Sequence, residues 1–147
     1  MPGFVALGDI KGNATVAPHQ GAIEFHSLRF GVTAGNPPVF DRIELVRSSD
    51  TASPALLAAA SQGTVFDRGR LTIATAWGDQ IVDYLVIELG SVTVERVRTA
   101  WDGGGLPKEW VTLGYRHLSW SAKPATPEGG APATFAHAVT ALAPLDD

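Results

Sequence analysis

The feature of this sequence that most constrains its fold is a succession of short β-prone segments separated by turn residues. The segment from Ile81 to Leu89 is the most β-prone, because β-branched and aromatic residues fill more than half of it. Six other segments have the alternation or the apolar content of strands: 4–9, 22–32, 39–47, 70–77, 92–101 and 109–120. Glycine-containing turns lie between several of them, which predicts about seven strands and a mainly β fold.

One segment between the strands carries the signals of an α-helix. Ser53 is a favourable N-cap residue, Pro54 suits the first helical position and Gly63 suits the C-terminal stop. The residues between them are mostly Ala and Leu, which are strong helix formers. We therefore predict one short α-helix at about residues 53–62, packed on one side of a small β-barrel, or two-sheet barrel, that is closed or nearly so.

The 147 residues are the usual length of one core-forming unit, and 45% of them are hydrophobic. Residues 1–121 contain all the predicted strands and form the expected β-barrel domain. Residues 122–147 begin with a stretch rich in Pro, Gly and Ala, which is typical of an extended tail. The apolar end of this tail has no clear period, so a short strand, a short helix and an irregular segment remain alternatives.

Charge and cysteine content exclude several classes of function. The net charge is −4, the pI is about 5.5 and the eleven Lys and Arg residues are scattered, whereas nucleic-acid-binding domains usually have a pI above about 9. The chain has no cysteine, which excludes disulfides, iron–sulfur clusters and thiol nucleophiles. No apolar run reaches the roughly 18 residues of a membrane-spanning helix, and the N-terminus lacks the pattern of a signal peptide. We therefore expect no nucleic-acid partner and no membrane insertion, and any export to use a route without a signal peptide.

Two pairs of polar side chains are candidates for catalytic or metal-binding groups. Glu24 and His26 lie two residues apart on one face of a predicted strand, where they could serve as metal ligands, an acid–base pair or part of an exposed interface. Tyr115 and His117 are spaced in the same way. The sequence contains neither a phosphate-binding glycine motif leading into a helix nor a nucleophile elbow. We predict a protein without catalytic, cofactor or metal sites. The alternative is a small β-barrel enzyme or ligand-binding protein whose cavity holds these four side chains.

Four segments of the chain occur in an order that is typical of a known family. The first is DIKG at 9–12, which is followed after a loop by GAIEFHSLRFGV at 21–32. The others are IELVRSSDTASPALLAAASQG at 43–63, YLVIELGSVTVERV at 84–97 and EWVTLGYRHLSW at 109–120. Together they resemble Hcp, the haemolysin-coregulated tube subunit of bacterial type VI secretion systems.

The resemblance to Hcp implies a barrel-like subunit that forms hexameric rings with an open lumen, stacked into a tube that is propelled into target cells. It implies partners that include further copies of the chain, a VgrG-like spike, a contractile sheath and small effectors chaperoned in the lumen. It also implies a protein that is cytoplasmic before assembly and is then secreted without a signal peptide. A tube protein of a phage tail or of another contractile machine is the alternative within this class.

The candidate subunit-interface residues lie in the turn after the first strand, on the second strand and in the proline-containing loop. They are Asp9, Lys11, Gly12, Glu24, His26, Asn36, Pro37 and Pro38. In a ring, strand edges and loops at such positions would be protected by neighbouring copies. The sequence departs from the family pattern in a short loop at 32–39 and a Pro/Ala-rich tail after Trp120, so it favours ring formation more than stacking.

Overall fold

The computed structural model describes residues 1–124 and 127–145, and these residues form eleven β-strands and one α-helix. The strands are β1 (Gly3–Leu7), β2 (Ile23–Phe25), β3 (Ser27–Arg29), β4 (Val32–Thr33), β5 (Val39–Phe40), β6 (Ile43–Ser48), β7 (Val65–Trp77), β8 (Gln80–Ala100), β9 (Lys108–Gly114), β10 (His117–Ala122) and β11 (Ala133–Ala138). The α-helix, α1, spans Ser53–Gln62, and a single 3₁₀ turn spans Pro127–Gly129. A mainly β fold with one helix is therefore confirmed, although its strands are more numerous than predicted, and β7 and β8 are longer than predicted.

Nine of these strands form one antiparallel sheet, and β4 and β5 form a second sheet. Neighbours in the larger sheet follow the order β2-β1-β7-β8-β9-β6-β3, with β10 also paired to β8 and β11 paired to β10. No ladder in the described part of the chain joins β2 to β3, so two sheets are confirmed and a closed barrel is not. The reason lies at His26, the one residue between β2 and β3, whose N–H donates to the carbonyl of Val46 at 2.9 Å. At this residue the chain stops pairing with β1 and starts pairing with β6, so β2 and β3 each have a neighbouring strand on one side only.

The longest strand, β8, differs most from the prediction. Gly90 predicts a turn between two strands, whereas the structure continues as one strand of 21 residues. Ser91 adopts a positive φ of 52° at this point, in the region that non-glycine residues rarely occupy. Residues 85–90 pair with β10 and residues 93–100 pair with β9. The irregularity therefore marks the place where one strand changes its neighbour.

Two other predicted strands are divided in the structure. Residues 109–120 form β9 and β10, which are separated at Tyr115 and Arg116, and residues 22–32 contribute to β2, β3 and β4. In both cases the chain changes its pairing partner, which ends one ladder and starts another. Among the three alternatives for the apolar end of the tail, the structure shows a strand, because β11 pairs along its full length with β10.

The helix has the predicted bounds, Ser53–Gln62, and ends at Gly63 in the left-handed conformation, with φ 65°. Its N-cap, however, is Ala52 rather than Ser53. The N–H of Ala52 donates to Asp50 Oδ1 at 2.8 Å, and the N–H of Asp50 donates to Ser53 Oγ at 3.0 Å. Asp50 and Ser53 thus satisfy backbone donors just before the helix, and no side chain caps the first helical turn in the way predicted for Ser53.

The main core lies between the inner faces of the strands and one side of α1. Its most deeply buried side chains are those of Leu7, Ile23, Phe40, Ile43, Leu45, Leu56, Leu71, Ile87, Val92 and Leu113. Leu45 on β6 and Val111 on β9 are directly paired and both buried. Because side chains alternate along a strand, the residues beside this pair on β6 and β9 point away from the core.

Candidate assembly surfaces

The predicted interface residues nearest the N-terminus lie on an exposed turn and loop. Asp9 follows β1 and is exposed, as is Lys11. Gly12 is half-buried, and a Cβ at this position would lie 2.6 Å from the carbonyl oxygen of Ala22. The glycine is therefore explained by the close approach of two backbone segments within the chain. Asp9 and Lys11 present their side chains outward.

The loop at 11–22 is held against the larger sheet by a histidine. His19 Nε2 lies 2.8 Å from Asp83 Oδ1 on β8, and the His19 ring stacks on Phe4 of β1 with centroids 4.5 Å apart. A planar contact of this kind combines apolar burial with a polar partner for the ring nitrogen. Sequence reasoning missed this pair because His19 and Asp83 are 64 positions apart. The exposed residues of the loop are thus presented from a fixed position.

Glu24 and His26 use their backbones inside the sheet and leave their side chains exposed. The Glu24 carbonyl accepts a hydrogen bond from Arg47 Nε at 3.2 Å, and the His26 N–H bonds to the carbonyl of Val46. Both side chains therefore lie on the outer surface where the chain crosses from β2 to β3. This arrangement is compatible with an interface, which stays a prediction.

The remaining predicted interface residues belong to the second sheet. Asn36 and Pro37 are exposed and Pro38 is half-buried in the connection between β4 and β5. The end of the tail secures this small sheet, because the Phe40 N–H donates to Ala141 O at 3.0 Å. The eight predicted residues therefore fall in separate places on both sheets, and a contact with a neighbouring copy is a prediction at each place.

The alternative site, a cavity holding Glu24, His26, Tyr115 and His117, is not formed by the described residues. Tyr115 is 2% exposed, whereas the other three side chains point to solvent. Of two clefts on the described surface, one contains none of the four residues and the other contains only His117. The four groups therefore do not converge on one bound molecule.

Tyr115 has a structural contact in place of the suggested cavity. Its hydroxyl donates to the backbone carbonyl of Asp41 at 2.5 Å. Burial raises the pKa of Tyr115 above its ordinary value; the Asp41 charge acts in the same direction and Arg42 opposes it. A phenol held in its neutral form and used as a donor joins the connection between β9 and β10 to the segment before β6.

A cleft of about 540 Å³ opens on the outer side of β3, β6, β9 and β8. Its lining includes Leu28, Arg29, Phe30, Asp41, Arg42, Glu44, Arg96, Thr112, Trp120 and Leu145. Phe30 and Trp120 stack in one wall, with ring centroids 5.3 Å apart. Arg42 forms an ion pair with Glu95. No motif in the sequence indicates this cleft, because its walls come from six separate segments.

A buried charge cluster fixes the start of the helix to the sheet. Arg47 on β6 is 1% exposed, and its Nη1 lies 2.6 Å from Glu109 Oε1 on β9. Arg47 Nη2 lies 2.5 Å from Asp50 Oδ1, an ion pair without hydrogen-bond alignment. Sequence reasoning missed the cluster, since an arginine in a strand usually lies at the surface. Its position and burial indicate a structural role.

Two further kinds of feature are absent from residues 1–124 and 127–145. No group of three or more His, Cys, Asp and Glu side chains is arranged to hold a metal ion there. In the same ranges, no helix has the length and apolar character needed to cross a membrane.

Comparison with known proteins decides the family. The family model described as type VI secretion system effector, Hcp, matches residues 4–121. This chain belongs to the Hcp family. The match begins in β1 and ends in β10, so it includes the strands that carry all four of the resembling segments.

Individual relatives agree with this Hcp assignment. Protein Hcp1 of Pseudomonas aeruginosa is 28% identical over 138 residues, which cover 86% of this chain and 85% of the relative. A solved type VI secretion system effector from Yersinia pestis is similar with a TM-score of 0.82 at 19% identity, covering 93% of this chain and 99% of that one. Hcp1 from Salmonella typhimurium has the same TM-score and identity, with 93% of each chain covered. At these identities the structures show the shared Hcp fold.

Proposed function

We propose that this Hcp-family chain is a structural subunit that assembles with copies of itself into hexameric rings of a type VI secretion system. The observation that carries the proposal is the family match over residues 4–121, because membership in this family supports a role in a tube or ring. The described fold adds outward-facing groups on both sheets. The proposed activity is assembly rather than catalysis.

The same proposal includes the later steps of secretion. The rings stack into a tube, and small effectors occupy the lumen. A VgrG-like spike and a contractile sheath are the other partners. The protein is cytoplasmic before assembly and is then secreted through the type VI machine. Support for these steps comes from family membership.

Electron microscopy of the purified chain tests the proposal. We expect annular particles with sixfold symmetry and an open centre. A matched sample in denaturant controls for staining artefacts. Images that contain only compact particles of single-chain size, at micromolar concentration and low salt, would count against a ring-forming subunit.

A further inference from the structure

The strand register places four residues in one row across the larger sheet. Arg29 on β3 pairs with Glu44 on β6, Glu44 pairs with Thr112 on β9, and Thr112 pairs with Arg96 on β8. Directly paired residues share a face of the sheet. Since the neighbouring residues Leu45 and Val111 face the core, this row lies on the opposite face, where Thr112 is 6% exposed and Arg29 is exposed at the edge. Arg29 and Glu44 approach to 3.8 Å, an exposed and weak ion pair.

The next rows on the same face add further positive charge. Trp110 on β9 pairs with Arg98 on β8, and Lys108 pairs with Ala100 one row beyond. Lys108 Nζ lies 5.4 Å from the centre of the Trp110 ring, a cation–π contact that orients both side chains. Arg98 is exposed and makes no ion pair within the described residues. The face therefore combines aromatic surface with basic groups.

We name this surface the basic sheet face and define it by Arg29, Arg42, Arg96, Arg98 and Lys108. It contains five of the eleven Lys and Arg residues of the chain. Three of the fifteen carboxylates lie on it or line its cleft: Asp41, Glu44 and Glu95. Among the described residues away from this face, six are basic and ten are acidic. The described part of the chain therefore has more basic than acidic groups on this sheet face and more acidic than basic groups elsewhere.

We infer that the basic sheet face is the docking surface for an acidic surface on a second copy of this chain. The inference rests on the proposed function and adds to it the surface that makes the contact. Charge complementarity between two copies supports this contact, because the negative remainder of each copy attracts the positive face of another. Two basic faces repel each other, which disfavours a symmetric dimer through this face. A contact between unlike surfaces is the kind that closes into a ring.

The composition of the face agrees with this use. Arginine and tryptophan are enriched in protein interfaces, and they contribute much of the binding energy there. The cleft of about 540 Å³ lies within the same face, beside Arg29 and Arg96, and gives a partner segment room to enter. Charged groups of this kind mainly guide the encounter and select the partner surface, so assembly should weaken as salt increases.

The test is a double charge reversal with a matched control. The variant Arg29→Glu/Arg98→Glu removes two exposed positive charges from the face. The control Arg68→Glu/Arg116→Glu makes the same change in charge at two exposed positions outside it. Sedimentation velocity measures assembly of the full chain at several concentrations and at low and high salt, and circular dichroism checks folding. A neutral variant, Arg29→Gln/Arg98→Gln, serves if the reversal does not fold.

We expect the reversal to weaken assembly about tenfold or more, and the neutral variant to weaken it less. We expect the control to assemble like the wild-type chain. If the reversal variant assembles as strongly as the wild-type chain, or if the control loses assembly to the same extent as the reversal, the assignment of this face is overturned and the ring proposal stands. A wild-type chain that is monomeric at every concentration and salt overturns the ring proposal and this inference together.

Discussion

At the scale of single residues, Arg47 joins three parts of the fold. Its guanidinium contacts Glu109 on β9, Asp50 before the helix and the carbonyl of Glu24 on β2. A buried ion pair adds little net stability compared with apolar packing, because both charges lose their hydration. Removal of one partner, however, leaves the other charge buried and unpaired. The cluster therefore makes the fold sensitive to a change at one position.

We predict that Arg47→Ala lowers the free energy of unfolding by about 3–5 kcal/mol, because Glu109 loses its counter-charge. Urea denaturation followed by circular dichroism measures the change. Arg68→Ala, at an exposed arginine, is the control and should change stability by less than about 0.5 kcal/mol. The double change Arg47→Met/Glu109→Leu should be more stable than Arg47→Ala. Equal stability of Arg47→Ala and wild type would show that the cluster is not coupled to folding.

Tyr115 gives a prediction with a pH dependence. Its pKa is raised in the folded chain, whereas an unfolded tyrosine ionises at about pH 10. As the pH rises above about 10, the unfolded state therefore releases the proton first, and the folded state loses stability. The stability that the neutral Tyr115 side chain contributes is fully present below about pH 10.

Tyr115→Phe should cost about 1 kcal/mol near neutral pH, because the bond to the Asp41 carbonyl is lost. Between about pH 9 and pH 11 the variant should lose less stability than the wild-type chain, so the two curves approach each other. Guanidinium denaturation across this pH range measures the free energy of unfolding of the variant and of the wild-type chain. Parallel curves would show that the Tyr115 proton is not held by the fold.

At the scale of elements, helix α1 was predictable and the long strand was not. Ser53–Gln62 has local signals at both ends, so short-range chemistry determines its bounds. Gly90 carries the local signal of a turn, yet β8 continues because β7, β9 and β10 all pair with it. Tertiary pairing overrides local preference in such cases.

The difference between local signals and tertiary pairing also explains which surfaces could be predicted from the sequence. Exposure of Glu24 and His26 follows from alternation along a strand, which the sequence contains. The basic sheet face depends on strand order and register, since Arg29 and Arg96 are brought into one row by β6 and β9. A sequence shows that the charges are scattered along the chain, and only the topology shows that they are gathered in space.

Ser91 has a strained backbone at the point where β8 changes its neighbour. Its positive φ of 52° is unfavourable for a residue with a Cβ. Ser91→Gly should therefore be neutral or stabilising by up to about 1 kcal/mol, whereas Ser91→Val should destabilise by about 1–2 kcal/mol. Thr93→Gly, two residues further along β8, is the control and should destabilise by about 0.5–1 kcal/mol. Thermal unfolding compares the variants. Destabilisation by Ser91→Gly as large as that by Thr93→Gly would contradict the strained backbone.

At the scale of the whole molecule, the family assignment and the charge distribution both bear on self-assembly. The Hcp match covers the strands from β1 to β10, and the basic sheet face lies on four strands within that range. An acidic chain with one basic face favours ordered contacts between unlike surfaces over random association. The proposed tube, effector and spike contacts all depend on ring assembly.

The most direct test of ring assembly is the solution mass of the purified chain by light scattering over a wide range of concentration. We predict a mass about six times the 15.4 kDa of one chain at low salt. This mass should decrease as concentration falls or salt rises, because the proposed contacts are charged. A mass of one chain that is independent of concentration would contradict the account.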